Sequence, residues 1–84
     1  MTKLEKLIQR MKSSPRDVRE AECVKLLEKE GYTERKSGAG SQRIFKHPER
    51  LPIVWHSPHG GRKTMDLKAV KYILQVLGYL EPPE

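Results

Sequence analysis

The sequence predicts a small α+β domain of order α-α-β-β-β-α, with helices on one face of an antiparallel sheet. Three observations lead there. Apolar residues recur with a period of 3.6 near both ends of the chain, the period drops to 2 between about residues 32 and 56, and the 84 residues allow one hydrophobic core and no second domain. Helices that share one sheet face form two layers, and an antiparallel sheet tolerates solvent on its other face.

Each element has its own signal. Leu4, Leu7, Ile8 and Met11 follow the i, i+3, i+4, i+7 spacing of one helical face, which predicts an amphipathic helix over 2–12. Ser14, Pro15 and Asp17 read as the cap, first position and capping-box-like residue of a second helix beginning near Pro15. That helix runs through Val18, Ala21, Cys23, Val24, Leu26 and Leu27 to Gly31, a residue suited to the left-handed conformation that ends helices. A short strand over Tyr32–Lys36, the small-residue link Ser37-Gly38-Ala39-Gly40-Ser41, and a strand from Arg43 to His47 stopped by Pro48 form a hairpin. Leu51 to His56 supplies a third strand, with Pro52 tolerable at its start. A basic loop, Ser57 to Lys63, precedes a last helix capped by Asp66, with Leu67, Val70, Ile73, Leu74 and Leu77 on its apolar face and Gly78 at its end. Residues 15–80 make the core of one domain, and 81–84 are expected to fray.

Composition narrows the function classes. With 36% hydrophobic and 33% charged residues, a mean hydropathy of −0.74 and no run of about 18 apolar residues, the chain reads as soluble with no membrane partner. MTKLEKLIQRMK interleaves charge with apolar residues and lacks the apolar stretch of a secretory signal. One cysteine, Cys23, cannot form an internal disulfide and fits a reducing compartment, so the cytoplasm is expected. The net charge of +6 is unevenly spread: residues 35–63 hold Arg35, Lys36, Arg43, Lys46, Arg50, Arg62 and Lys63 against Glu49 alone. A basic middle third points to a polyanion, and nucleic acid is the partner it suits best.

Several residues could carry chemistry. Alternation on the second strand puts Arg43, Phe45 and His47 on one side and Gln42, Ile44 and Lys46 on the other, so Gln42 faces outward if Phe45 faces the helices. Gly40-Ser41 could present backbone N–H groups to a phosphate, although a Gly-Ser turn is more often only a turn. Lys63, Lys68 and Lys71 border the basic loop and last helix, where they could meet phosphates or be simply solvated. His47 reads as a packed strand-end residue, and Trp55, alternating with Ile53, as core more than as a base-stacking platform. His56 and His59 form an H-x-x-H pair, but zinc needs more ligands, so neither metal nor cofactor is expected.

The segments Leu26-Leu27-Glu28-Lys29-Glu30-Gly31-Tyr32, Gly40-Ser41-Gln42-Arg43-Ile44-Phe45-Lys46-His47-Pro48 and Leu67 to Gly78 together resemble the HicA toxins, over roughly residues 17–80. The resemblance implies a bacterial mRNA interferase with a double-stranded-RNA-binding-domain-like fold, an added N-terminal helix, and neutralisation by a HicB-like antitoxin. It implies cytoplasmic endoribonuclease activity without a metal, with oligomers formed only through the antitoxin. On the chain's own residues, RNA contact is expected of Gly40, Ser41, Arg43, Lys46, Lys63, Lys68 and Lys71. The family's catalytic histidine belongs to a G-S-H motif, and Gln42 stands there in this chain. Imidazole can take a 2′-hydroxyl proton near neutral pH and a carboxamide cannot, so the resemblance implies an inactive site as the chain is written. Two rivals stand beside this reading. A non-catalytic RNA-binding module would use the basic surface alone, and a structural or interaction protein would assemble through its first helix.

Overall fold

A computed structural model describes residues 2–35, 40–58 and 63–81. The elements run α1 (Lys3–Ser13), α2 (Glu20–Lys29), β1 (Thr33–Arg35), β2 (Gln42–Lys46), β3 (Ile53–His56) and α3 (Leu67–Leu77). This is the expected α+β order, with a three-stranded antiparallel sheet in the spatial order β1-β2-β3. Lys36 of the expected first strand, residues 37–39 of the expected 37–41 link and the 59–62 part of the basic loop lie outside the described residues, as do residues 82–84 of the tail.

One core holds the layers together. Ile8 and Met11 of α1, Cys23, Leu26 and Leu27 of α2, Phe45 of β2, Ile53 and Trp55 of β3, and Val70, Ile73, Leu74 and Leu77 of α3 belong to a single buried cluster. Phe45 and Trp55 stack with ring centroids 4.8 Å apart and planes 13° from parallel. Buried residues of all three helices thus share one core with the sheet face that carries Phe45, while Val54 on the other face is 43% exposed.

The second helix starts later than the sequence predicts. Ser14 accepts a backbone bond from Asp17, so residues 14–17 close a turn in place of a first helical turn, and α2 begins at Glu20. Val18 explains the difference: it is fully buried, and its carbonyl accepts the Met65 N–H at 2.7 Å. A long-range packing position thus overrides the Ser-Pro-x-Asp signal. The Glu22 carboxylate takes over the capping task by accepting the Arg19 N–H at 2.9 Å. Asp66 does occupy the cap position of α3, but its side chain makes no capping bond there.

The other helix ends follow expectation. Gly31 adopts a φ of +94°, and a Cβ there would lie 3.2 Å from the His47 ring, so conformation and close approach both favour glycine. Gly78 ends α3 with a φ of +87°. The apolar stripe of α1 is met by α2, and this contact is reinforced by Arg10, which pairs with Glu22 and donates to the Asp17 carbonyl at 2.9 Å.

Candidate nucleic-acid interface on the uncovered sheet face

The strand register fixes which side chains share a face. β1 pairs with β2 through Thr33–Lys46, Glu34–Phe45 and Arg35–Ile44. β2 pairs with β3 through Gln42–His56, Arg43–Trp55, Ile44–Val54 and Phe45–Ile53. Since Phe45, Ile53 and Trp55 are buried under the helices, Glu34 and Arg43 lie on that covered side. The uncovered face carries Thr33, Arg35, Gln42, Ile44, Lys46, Val54 and His56. Its centre is an apolar row, Ile44 beside Val54, with the Gln42–His56 row on one side and the Thr33–Lys46 row on the other.

Gln42 and His56 face each other more closely than register alone would require. Ser57 donates its backbone N–H to the Ser41 carbonyl at 2.9 Å, which makes 41–57 a hydrogen-bonded position and places 42–56 next to it. Antiparallel ladders alternate, and pairs beside a hydrogen-bonded one have their side chains closer, with Cα atoms about 4.5 Å apart. His56 is exposed, and among the described residues no hydrogen bond or ion pair engages its ring.

The residues expected at the site separate into groups. Gln42 and Lys46 lie on the uncovered face, with Gly40 and Ser41 exposed at the start of β2. Lys68 and Lys71 are exposed on α3, in the helical layer, and Lys63 is exposed just before it. Arg43 is engaged elsewhere: Nε and Nη2 donate to the two Glu34 oxygens, each at 2.8 Å, and Nη1 lies 3.4 Å from Glu20. The hydrogen bonds from Arg43 hold the Glu34 carboxyl below its ordinary range, and the same bonds raise the guanidinium. Sequence reasoning places Arg43 correctly on Phe45's side, yet it cannot see these partners and so counts Arg43 as available to RNA.

Glu20 ties α2 to the sheet edge. Its Oε2 accepts from Trp55 Nε1 at 2.8 Å and from Ser57 Oγ at 2.6 Å, while Oε1 faces Arg43. This network gives Trp55 a partner for its one polar atom and fixes it as core. His47 is equally committed to structure, because Nδ1 accepts the Glu49 N–H at 3.0 Å and its ring lies 5.0 Å from that of Tyr32. Burial, followed by the nearby Glu20 charge, pushes the Cys23 thiol up to about 12, so it has no thiolate to offer at neutral pH.

Sequence reasoning misses two residues of the site. Arg35 falls on the uncovered face beside Ile44, and its membership of the basic middle third is the only signal for it. His56 enters the sequence reading only as half of a metal pair with His59, which lies outside the described residues. Among the described residues, no group of three or more His, Cys, Asp or Glu could hold a metal ion, and no helix is long and apolar enough to cross a membrane.

A helix-backed antiparallel sheet presents Arg35, Lys46, Gln42 and His56 around an apolar centre on its solvent face. The sequence model for the HicA toxin of bacterial toxin-antitoxin systems matches residues 21–79, well over half of the 84, and the chain belongs to that family. The match begins inside α2, so α1 lies outside it. Neither a curated protein nor a solved structure matches the chain.

Proposed function

We propose that the chain is a HicA-type mRNA interferase domain that holds RNA on its uncovered sheet face and that cannot cleave it as written, because Gln42 stands where the family's proton acceptor belongs. The observation that carries the reading is a solvent-facing sheet surface, in a member of a toxin family, on which position 42 lies directly across from an imidazole with Arg35 in the neighbouring row. The succession α2-β1-β2-β3-α3 also supports a double-stranded-RNA-binding-domain-like layout.

The chemistry assigned to this face is transesterification without metal. A ribose 2′-oxygen attacks the adjacent phosphorus, its proton must pass to an acceptor at position 42, and the bond to the 5′-oxygen breaks. A carboxamide holds no basic lone pair for that proton, so Gln42 is limited to hydrogen bonding. Arg35 and Lys46 supply positive charge for the backbone on this face, with Gly40 and Ser41 at its edge. Lys63, Lys68 and Lys71 extend the basic surface around α3. Arg43 belongs instead to the packing of the covered side. A HicB-like antitoxin with an acidic contact surface would be steered to the same face and would cover Gln42.

Gln42 itself favours a second reading, a non-catalytic RNA-binding module in which glutamine is a binding residue. One experiment separates them. Gln42→His is expected to raise RNA cleavage by about 10² to 10⁴ without added metal, the contribution typical of a general base. The same variant should arrest bacterial growth until an antitoxin is co-expressed. A folded Gln42→His protein that binds RNA but neither cuts it nor slows growth would establish the binding module.

A further inference from the structure

The uncovered face holds a second proton-transfer group that neither family membership nor the sequence motif assigns. We infer that His56 is the general acid of this site, the group that delivers a proton to the departing 5′-oxygen; the inference rests on the reading of position 42 given above. Three observations carry it. The register sets His56 directly across from Gln42 on the same solvent face. The Ser57-to-Ser41 backbone bond makes theirs a close, non-hydrogen-bonded pair. Unlike His47, whose ring is held by Glu49 N–H and Tyr32, His56 is exposed, and no described residue binds its ring.

A cross-strand pair at this spacing suits the reaction. Phosphodiester transesterification moves two protons: one leaves the 2′-hydroxyl as the oxygen attacks phosphorus, and one joins the 5′-oxygen as its bond to phosphorus breaks. The products are a 2′,3′-cyclic phosphate and a 5′-hydroxyl, and no water or oxidant is consumed. Two groups side by side can flank one phosphate, with the acceptor at position 42 and the donor at position 56. Imidazole is the side chain that holds a proton and releases it near neutral pH. This chain therefore retains the donor half of a two-group site whose acceptor half is a glutamine. Arg35, on the same face beside Ile44, is placed to hold the flanking phosphate.

The test uses the full chain in the Gln42→His background and two oligonucleotides with a single ribonucleotide each, one with an ordinary 5′-oxygen at the scissile linkage and one with a 5′-bridging sulfur. Sulfur departs as a thiolate and needs no proton, so it bypasses a general acid. Adding His56→Ala is expected to slow cleavage of the oxygen substrate by about 10²-fold or more, the lower range for acid–base catalysis, and to slow the sulfur substrate far less. His56→Gln, which preserves hydrogen bonding at an exposed strand position, should behave alike and unfold at the same temperature as its parent. Unchanged cleavage of the oxygen substrate would overturn the inference and leave the reading of position 42 standing. Equal losses on both substrates would also overturn it, because His56 would then act in binding. A Gln42→His protein that binds the oligonucleotide and cuts neither substrate would bring down the reading of position 42 first, and the inference with it.

Discussion

The two faces of the sheet answer to different demands. On the covered face the large and charged side chains are accounted for by neighbours: Phe45 stacks on Trp55, Trp55 donates to Glu20, and Arg43 is held by Glu34 and Glu20. On the uncovered face Val54 is 43% exposed, and His56, Lys46 and Arg35 are exposed around it. Packing dictates the first set and does not dictate the second. The charged residues show this most clearly, since Arg43 and Arg35 belong to the same basic segment and Arg43 is the one neutralised by carboxylates.

The largest expected difference is in stability. Phe45→Ala removes a fully buried ring at the centre of the core and should lower unfolding stability by about 3–5 kcal/mol. Val54→Thr, one row away on the other face, should stay within about 0.5 kcal/mol, as exposed substitutions usually do. Denaturant unfolding of both variants checks the contrast. Similar costs would mean that something covers the outer face.

How far the sequence reveals this contrast depends on the range of the interaction concerned. The apolar stripes of α1 and α3, the helix-ending Gly31 and Gly78, and the alternation that turns Phe45 inward and Gln42 outward are local patterns, and all are legible. The start of α2 is not, because Val18 is drawn into the core by neighbours distant in sequence, and its bond to Met65 spans most of the chain. The pairing of Gln42 with His56 is also hidden. Alternation alone places each on the outer face, but their register depends on the path of residues 47–52 between the strands. Arg43 reads as available for the same reason: Glu20 and Glu34 lie on other elements.

A second contrast concerns RNA. Arg35→Glu with Lys46→Glu should weaken binding and flatten its dependence on salt. For a single strand, the slope of log K against log salt falls by about 0.7 for every phosphate that is no longer neutralised. Arg43→Gln should leave that slope unchanged and lower stability instead, since its guanidinium already serves two carboxylates on the other side. Titrations at several salt concentrations, run beside thermal unfolding, read both quantities. A flattened slope for Arg43→Gln would place Arg43 at the RNA and break the division between the faces.

The smallest effect tests the covered-side ion pair through pH. The Glu34 carboxyl is held below its ordinary range by hydrogen bonds from Arg43, against a smaller opposing effect of burial. A carboxyl with a lowered folded value binds its proton more weakly when folded than when unfolded. Its contribution to stability is therefore complete above the unfolded value, about 4.3 for glutamate, and fades as pH falls through the lower folded one. The side chains of Glu34 and Arg43 are 41% and 28% exposed, so solvent screens the pair, and its worth is that of a surface pair, roughly 0.2–1 kcal/mol. Glu34→Gln should accordingly be slightly less stable than the parent at neutral pH, and the gap should close in acid below the ordinary glutamate range. Unfolding curves collected down a pH series measure it directly. A gap that stays constant into acid would show that Glu34 stabilises the fold through packing or neutral hydrogen bonding, and that its ion pair with Arg43 contributes nothing to holding that arginine on the covered side.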